Sequence, residues 1–525
     1  MSVLYGKPLR RLLPALAAIV ATATAAPGLQ ARASGPPQAA EIKVDDIIER
    51  MNNAERGVIV RMRMYQPLME VYIQDVTLDE HLGWVPTADD YFLGQFHLGE
   101  APALLPLSQV KRPRGAQYSP DGFAAMALAD WHVLERTRYE FKYVKREFLG
   151  DARCFVFDVK PLREGREGFL GRIWVDDRDY NVVRFNGINR STDQLLSRFF
   201  RRTLSFHVDS WRTNVLPGVW LPSYVYSEET DLSGARSAAV RFKSQTRIWG
   251  YRAQTTDKAE PLTTIRADEA ESNVIERLEA AGLLSPPGDV DRLLETVLNN
   301  LVISNNLALE RPLRCRILLT SPLESFTVGR TIVLSRGLID VLPDESSLAM
   351  MLAHELSHVA LGHPLIDTKF SFADRLMVAD AALLATLQFR HGAREETAAD
   401  EKVIELLRNS PYKDTLADAG LFIQTVHQRA RQLPRLIQSH IGDHIVENGQ
   451  AIRLAEVAQQ APALAPDSLD QIPALPLGAR LVVDAWNGRL TLDRTPAVPL
   501  TSIREKVPLA VTPLIPLIKY AQPVE

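Results

Sequence analysis

Two cysteines in 525 residues, Cys154 and Cys315, are too few to staple a secreted scaffold or to build the thiolate-rich zinc sites of finger-type domains. A metal in this chain has to be held by histidine and carboxylate. Charge of one sign is also missing. Lys and Arg number 60 against 64 Asp and Glu, a formal net charge of −4. That balance gives no electrostatic footprint for nucleic acid and no polybasic membrane surface. Beyond the N-terminal leader, no stretch reaches the ~18 uninterrupted apolar residues of a membrane span. What is present is apolar material, 46% of the chain, over a length that suits three or four domains at ~150 residues each. Disorder as the main state is thereby excluded.

The leader differs from everything after it. Lys7, Arg10 and Arg11 precede an apolar run from Leu12 to Ala26, about the length of a signal-peptide core. Pro14 and Pro27 sit badly in a spanning helix. The expected cut follows Ala33, in Ala31-Arg32-Ala33, with the Ala-rich stretch ending at Ala26 as the rival site. Residues 1–33 thus read as a signal peptide, and the mature chain as exported to the periplasm or beyond, with no transmembrane span.

Two periodicities follow, and they predict an α+β, multidomain protein. From about Ile42 to Tyr251 the period is two. Runs such as Cys154-Phe155-Val156-Phe157-Asp158-Val159 and Asn181-Val182-Val183-Arg184-Phe185 alternate, and turn clusters such as Asp176-Asp177-Arg178-Asp179 separate them. This is an antiparallel sheet over residues 40–252. Six of the seven tryptophans lie here (Trp84, Trp131, Trp174, Trp211, Trp220, Trp249), which predicts one heavily aromatic buried face. Arg190, Arg198, Arg201 and Arg202 form a basic cluster that reads as a solvated strand face.

Phe169-Leu170-Gly171-Arg172-Ile173-Trp174-Val175-Asp176, then Tyr180-Asn181-Val182-Val183-Arg184-Phe185 and Trp220-Leu221-Pro222, resemble the outer-membrane lipoprotein-sorting (LolA/LolB-like) family over about residues 50–252. The resemblance implies an incomplete antiparallel β-barrel closed by helices, with an apolar concave face for acyl chains or lipoproteins. A sheet that only packs against the rest of the chain is the alternative.

Residues 253–288 read as a linker with one short helix near Glu269 to Ala281. From Asp289 the period becomes 3.6, with Leu293, Leu294, Val297, Leu298 and Leu301 on one helical face, and strands are expected at 315–320 and 331–335. A mainly helical domain over 289–463 follows, then a Pro-rich extension at 464–525 with strand-like runs at 479–483 and 488–492.

The chemistry lies in Leu352-Ala353-His354-Glu355-Leu356-Ser357-His358-Val359. On a helix four residues advance about 400° and ~6 Å, so His354 and His358 project from one side and can share one ion. Glu355, about 100° away, is suited to act on water beside that ion. Chance gives such a motif in a chain with these histidines on the order of one time in a hundred. The flanking Leu348, Met351, Leu352, Leu356, Val359 and Ala360 would bury the helix, and buried imidazoles and a carboxylate cost several kcal/mol unless partnered. A third ligand is needed. The metzincin extension fails, because Leu361 and Pro364 stand where Gly and His would be required. Arg394-Glu395-Glu396-Thr397-Ala398-Ala399-Asp400 offers instead Glu396 as ligand and Asp400, a turn later, as the hydrogen-bond partner of a ligand histidine. Glu395 is the alternative one register away.

His354-Glu355-Leu356-Ser357-His358 with Gly362-His363, followed by Glu396-x-x-Ala399-Asp400, resembles the M48 peptidases over about residues 290–457. The resemblance implies a zincin-type fold with a small β edge and one Zn²⁺ per chain on His354, His358 and Glu396. It also implies a substrate-facing edge strand at Thr331–Ser335 and a structural role for His363. Ser439-His440-Ile441, then Arg453, occupies the place of the family's Ser/Thr-His-Pro and Arg, which makes His440 the expected catalytic partner of Glu355 in oxyanion stabilisation or proton donation, with His444 as rival. Where many members have Asn-Ala-Phe-Ala, this chain has Glu324-Ser325-Phe326-Thr327. Residues 371–390 read as a packed or lid-like helix. The expected protein is an exported zinc endopeptidase of unfolded polypeptides or lipoproteins. The alternative is a lipid or lipoprotein carrier whose metal domain is regulatory.

Overall fold

The computed structural model describes residues 43–79, 83–107, 118–150, 152–163, 168–189, 206–229, 241–251, 267–309, 311–363, 388–447, 450–451, 453–465, 481–483 and 490–492. The leader, the Arg190–Arg202 cluster and nearly all of the 371–390 segment lie outside them. So does most of the 464–525 extension, where Leu481–Val483 and Leu490–Leu492 pair as a short antiparallel ladder. Among the described residues no helix is long and apolar enough to cross a membrane.

The alternating half forms one ten-stranded antiparallel sheet preceded by helix α1 (Val44–Met64). Its strands are β1 (Leu68–Asp79), β2 (Gly83–Leu98), β3 (Pro102–Pro106), β4 (Tyr139–Leu149), β5 (Ala152–Pro161), β6 (Phe169–Asp176), β7 (Val182–Asn189), β8 (Phe206–Leu216), β9 (Val219–Glu229) and β10 (Arg241–Trp249), with helix α2 (Pro120–Ala125) between β3 and β4. The spatial order is β3-β2-β1-β10-β9-β8-β7-β6-β5-β4, so the sheet is open, with β3 and β4 at its edges. β1 pairs with β10 from Leu68↔Trp249 to Val76↔Arg241, which brings the two ends of this half together.

Period-two alternation sends Phe169, Ile173, Val175 and Phe185 to one face. There they share a core with Ile48, Met51 and Met62 of α1 and with Phe123, Met126, Leu128 and Leu134. Phe169 and Phe185 meet edge to face at 5.5 Å. Gly171 and Gly187 sit opposite each other across β6 and β7, and a Cβ on Gly171 would stand 2.6 Å from the Gly187 Cα. The buried face is aromatic as expected, but in phenylalanine rather than tryptophan. Trp174 and Trp220 belong to a separate cluster with Cys154, Val156 and Val183. A buried indole N–H gains from a partner, and two of the tryptophans have one. Trp174 donates to Glu147 at 2.6 Å and Trp249 to the Gly282 carbonyl at 2.8 Å.

The helical half begins with α3 (Ala267–Ala280), close to the short helix expected there, and α4 (Asp289–Ser304). Gly288 caps α4, and its N–H donates to Asp291 at 2.7 Å. A three-stranded sheet follows, of β11 (Arg314–Leu318), β12 (Ser325–Val328) and β13 (Thr331–Ser335), in the order β11-β13-β12. β13, expected at the edge, is the central strand, and β11 and β12 are the edges. Then come α5 (Arg336–Val341), α6 (Glu345–Ala360), α7 (Ala393–Arg408), α8 (Leu416–Arg429) and α9 (Pro434–Ile437).

Val44–Glu525 forms one compact unit, and β1 shows how the halves join. Met69, Val71 and Ile73 face the phenylalanine core, whereas Tyr72 packs in the core of the helical half. Between them Glu70 is buried and accepts from Tyr91 Oη at 2.9 Å and from Ser321 N and Oγ at 2.5 and 2.8 Å. Asp89 of β2 accepts from the backbone N–H of Arg435 and Leu436 at 3.0 and 2.8 Å. A buried carboxylate is tolerable only with such donors.

Candidate metal centre

Helix α6 starts where the Asp344 side chain accepts from Ser347 N at 2.7 Å. Every residue from Ser347 to His358 is buried, so this helix runs through the core rather than over it. α7 packs along it through Val403, Leu406 and Leu407. Its first turn settles the register of the acidic pair. Glu395 turns back to accept from Gly392 N at 2.9 Å, as a capping residue, while Glu396 faces α6.

The Nε2 atoms of His354 and His358 lie 3.1 Å apart. Glu396 Oε2 stands 3.3 Å from the first and its Oε1 3.5 Å from the second. Zinc at ~2.0–2.1 Å from tetrahedral ligands separates them by about 3.3 Å, so the triangle has the size of one face of a zinc site. Neither Glu396 oxygen has a hydrogen-bond partner. An orphaned buried carboxylate beside two convergent imidazole nitrogens is what a divalent cation would satisfy. The far side of each ring is tied down. His354 Nδ1 lies 3.0 Å from Asp400 Oδ1, and His358 Nδ1 lies 2.8 Å from His363 Nδ1. These partners fix ring orientation, and His363 thereby does for His358 what Asp400 does for His354.

Electrostatics follow from depth. Burial and Arg453 work against charge on His354, yet its hydrogen bond to Asp400 and the adjacent Glu396 carboxylate raise its pKa to about 9, so a metal arriving there displaces a proton. Burial, with His354 and His391 nearby, depresses the pKa of His358 and keeps that ring neutral, the ligand form. Burial would raise the pKa of Glu355, but the Arg453 guanidinium and His354 outweigh it and hold it below the usual value. Arg453 Nη2 donates to Glu355 Oε1 at 2.5 Å, and Thr327 Oγ1 of β12 donates to Oε2 at 2.8 Å. Arg453 Nε also lies 2.9 Å from His354 Nε2 and 3.3 Å from Glu396 Oε2.

Residues 291–433 match the model of peptidase family M48. The M48 segment thus contains α6, α7 and the strands between them and α4, but ends before Asp443 and Arg453. The match points to a metal-dependent peptidase. A comparison with curated proteins returned no match. Among solved structures, a LolA superfamily protein from Nitrosomonas europaea is 13% identical, covers 40% of this chain and 92% of its own, and has a TM-score of 0.21. A putative outer-membrane lipoprotein-sorting domain from Vibrio parahaemolyticus is 10% identical, with 40% and 94% covered and a TM-score of 0.23. A third is MucB in complex with MucA(peri), at 9% identity, 39% and 94% covered and a TM-score of 0.13.

Outside the M48 segment the structure departs from expectation. His440, expected beside Glu355, packs against Tyr91 with ring centroids 4.9 Å apart and planes tilted by 41°, and its backbone N–H donates to Glu324. Among the described contacts none joins it to His354, Glu355, His358 or Glu396. His444 of the same segment acts on His440 electrostatically. Two neighbours of the ligand cluster, His391 and Asp443, went unforeseen, and Arg453 was placed by resemblance but without its partner. Arg453 grips Glu355, and His391 and Asp443 meet at 2.9 Å beside the ligands. One signal was available: seven of the 11 histidines fall between positions 354 and 444.

Proposed function

We propose that this chain is an exported zinc endopeptidase of the cell envelope, acting on unfolded or misfolded polypeptides, lipoproteins among them. The observation that carries the reading is the triangle of His354 Nε2, His358 Nε2 and Glu396 oxygens, with edges of 3.1, 3.3 and 3.5 Å and Glu355 in the same buried cluster. His354, His358 and Glu396 would hold one Zn²⁺, which when bound polarises a peptide carbonyl and makes water a nucleophile at neutral pH. Asp400 fixes the tautomer of His354. Glu355 accepts the proton of the attacking water and passes it to the departing nitrogen. Arg453 and Thr327 keep Glu355 ionised and aimed.

Substrate pairing belongs to β12, because β13 is flanked on both sides and, of the two edge strands, it is β12 whose Thr327 bonds Glu355. Recognition through a strand edge reads backbone, which favours extended, unfolded chains of varied sequence. The Gly442 backbone lies against the Ser325 carbonyl, where a Cβ would stand 2.5 Å away. Export is supported by the leader composition, Lys7, Arg10 and Arg11 before the Leu12–Ala26 run.

Glu355→Gln tests the reading on the full mature chain. Casein hydrolysis should fall about 10²–10⁴-fold, with zinc content by elemental analysis unchanged. Full biological activity of that variant would favour a carrier whose metal domain is regulatory, and protein that takes up no zinc would end the proposal.

A further inference from the structure

A hydrolytic site needs a donor for the carbonyl oxygen as it gains charge, and His440 is turned away toward Tyr91. Another imidazole is better placed. The His391 ring lies over that of His358, centroids 3.7 Å apart and planes within 22°, and its Nδ1 is 3.8 Å from Glu396 Oε1. Asp443 clamps it twice, with Oδ2 2.9 Å from Nδ1 and Oδ1 accepting from the His391 backbone N–H at 2.8 Å. The carboxylate is buried, which costs free energy unless a partner balances it. Two segments 52 positions apart are thus joined at the ligand cluster. They are joined again where Phe389 N donates to the Ile441 carbonyl at 2.7 Å. Phe389 in turn stacks on Phe326 of β12 at 4.7 Å, so the segment bearing His391 reaches from the substrate-pairing strand to the metal ligands. The ligand atoms of His358, His391, Glu396 and Asp443 all lie within 4.8 Å of one another.

We propose that His391, oriented by Asp443, is the catalytic imidazole of this site, meeting the substrate carbonyl oxygen through Nε2 while Asp443 holds Nδ1. The inference rests on the zinc-peptidase reading. Asp443 is a positioning residue: it selects which nitrogen is left for substrate and balances the charge of a ring that donates from both. His440 is then part of the packing between Tyr91 and α9.

The test uses the zinc-loaded full chain, a fluorogenic peptide and a phosphinic peptide that imitates the tetrahedral centre. His391→Gln should lower kcat about 10²–10³-fold with KM little changed, and should weaken the phosphinic peptide by a similar factor while zinc content stays at one per chain. Asp443→Asn should lower kcat by a smaller factor, again without a change in KM, and Asp443→Glu should restore part of it. His440→Gln should cost at least tenfold less than His391→Gln. If His391→Gln does not fold, the Asp443 pair answers the same question. The inference is overturned if His391→Gln keeps kcat within threefold, if its activity falls only in proportion to lost zinc, or if His440→Gln carries the larger kcat loss. Glu355→Gln in the same series separates the two failures. An inactive Glu355→Gln beside a fully active His391→Gln sinks this inference alone, whereas equal activity of wild type and Glu355→Gln sinks the peptidase reading and this inference with it.

Discussion

Phe185 of strand β7 and the His354-Glu355-His358 set of helix α6 are buried to the same depth and made of opposite material. In β7 the inward residue is Phe185, fully buried against Phe169, and every polar neighbour points away from that core. In α6, His354, Glu355 and His358 are at most 1% exposed, and each has a polar partner brought by another element: Asp400 from α7, Arg453 from near the end of the described chain, His363 from the turn after the helix. Burial of an aromatic ring is its own stabilisation. Burial of a charge is stable only if several segments arrive together, so α6 is held by tertiary structure in a way β7 is not.

That contrast can be broken from the sheet side first. Phe185→Ala should cost about 3–5 kcal/mol in urea unfolding, the largest effect expected of any single change here outside the catalytic cluster. In the molecules that remain folded, zinc affinity and kcat should be unchanged. A loss of zinc affinity in Phe185→Ala would mean that the sheet core and α6 are one cooperative network, coupled through β1, Glu70 and Ser321.

From the helix side the expected loss is smaller and of another kind. Asp400→Asn leaves an oxygen near His354 Nδ1 but removes the charge that steadies the ring, so zinc affinity should fall about 10–100-fold in competition with a chelator. Global stability of the metal-free protein should change little by comparison. If Asp400→Asn instead unfolds the apo protein, the carboxylate acts as a structural strut and not as a tuner of the ligand.

Legibility in the sequence follows the same division. The i,i+4 histidines, Glu355 between them and the Glu396/Asp400 pair could be read because one helix repeats every 3.6 residues and chemistry fixes which residue types may be buried on it. The sheet could be read because alternation has a period of its own. What escaped has no period. His391 and Asp443 are single residues 52 positions apart, and although resemblance places Arg453, its pairing with Glu355, 98 positions away, is not legible. β12 escaped because four residues, Ser325–Val328, two of them hydroxylic, are too short a run to announce a strand, and the resemblance that implies an edge at Thr331–Ser335 does not reveal that β12 covers it. The tryptophans misled because abundance predicts aromatic burial but not which face of the sheet each ring takes.

Glu324 offers the finest test, since it sits where the two kinds of burial meet. It is 1% exposed at the entrance to β12, one oxygen accepts from the N–H groups of His440 and Ile441, and the other is unpartnered. Burial raises its pKa from 4.5 to about 7 against the opposing pull of those two donors. A carboxyl raised in this way stays protonated in the folded protein while the unfolded chain has already ionised. Its contribution is therefore intact below about pH 4.5 and is lost as pH rises toward 7. Asp89 is raised to about 7 for the same first reason, burial, and should add to the slope. Glu324→Gln removes one of these titrations and keeps an acceptor for the backbone donors. Its urea midpoint should accordingly fall less than that of wild type between pH 5 and pH 8, by a margin that Asp89→Asn widens in the double variant. Parallel midpoints across that range would mean that the His440 and Ile441 N–H groups already hold Glu324 ionised at pH 5, and that hydrogen bonding has outweighed burial at this position.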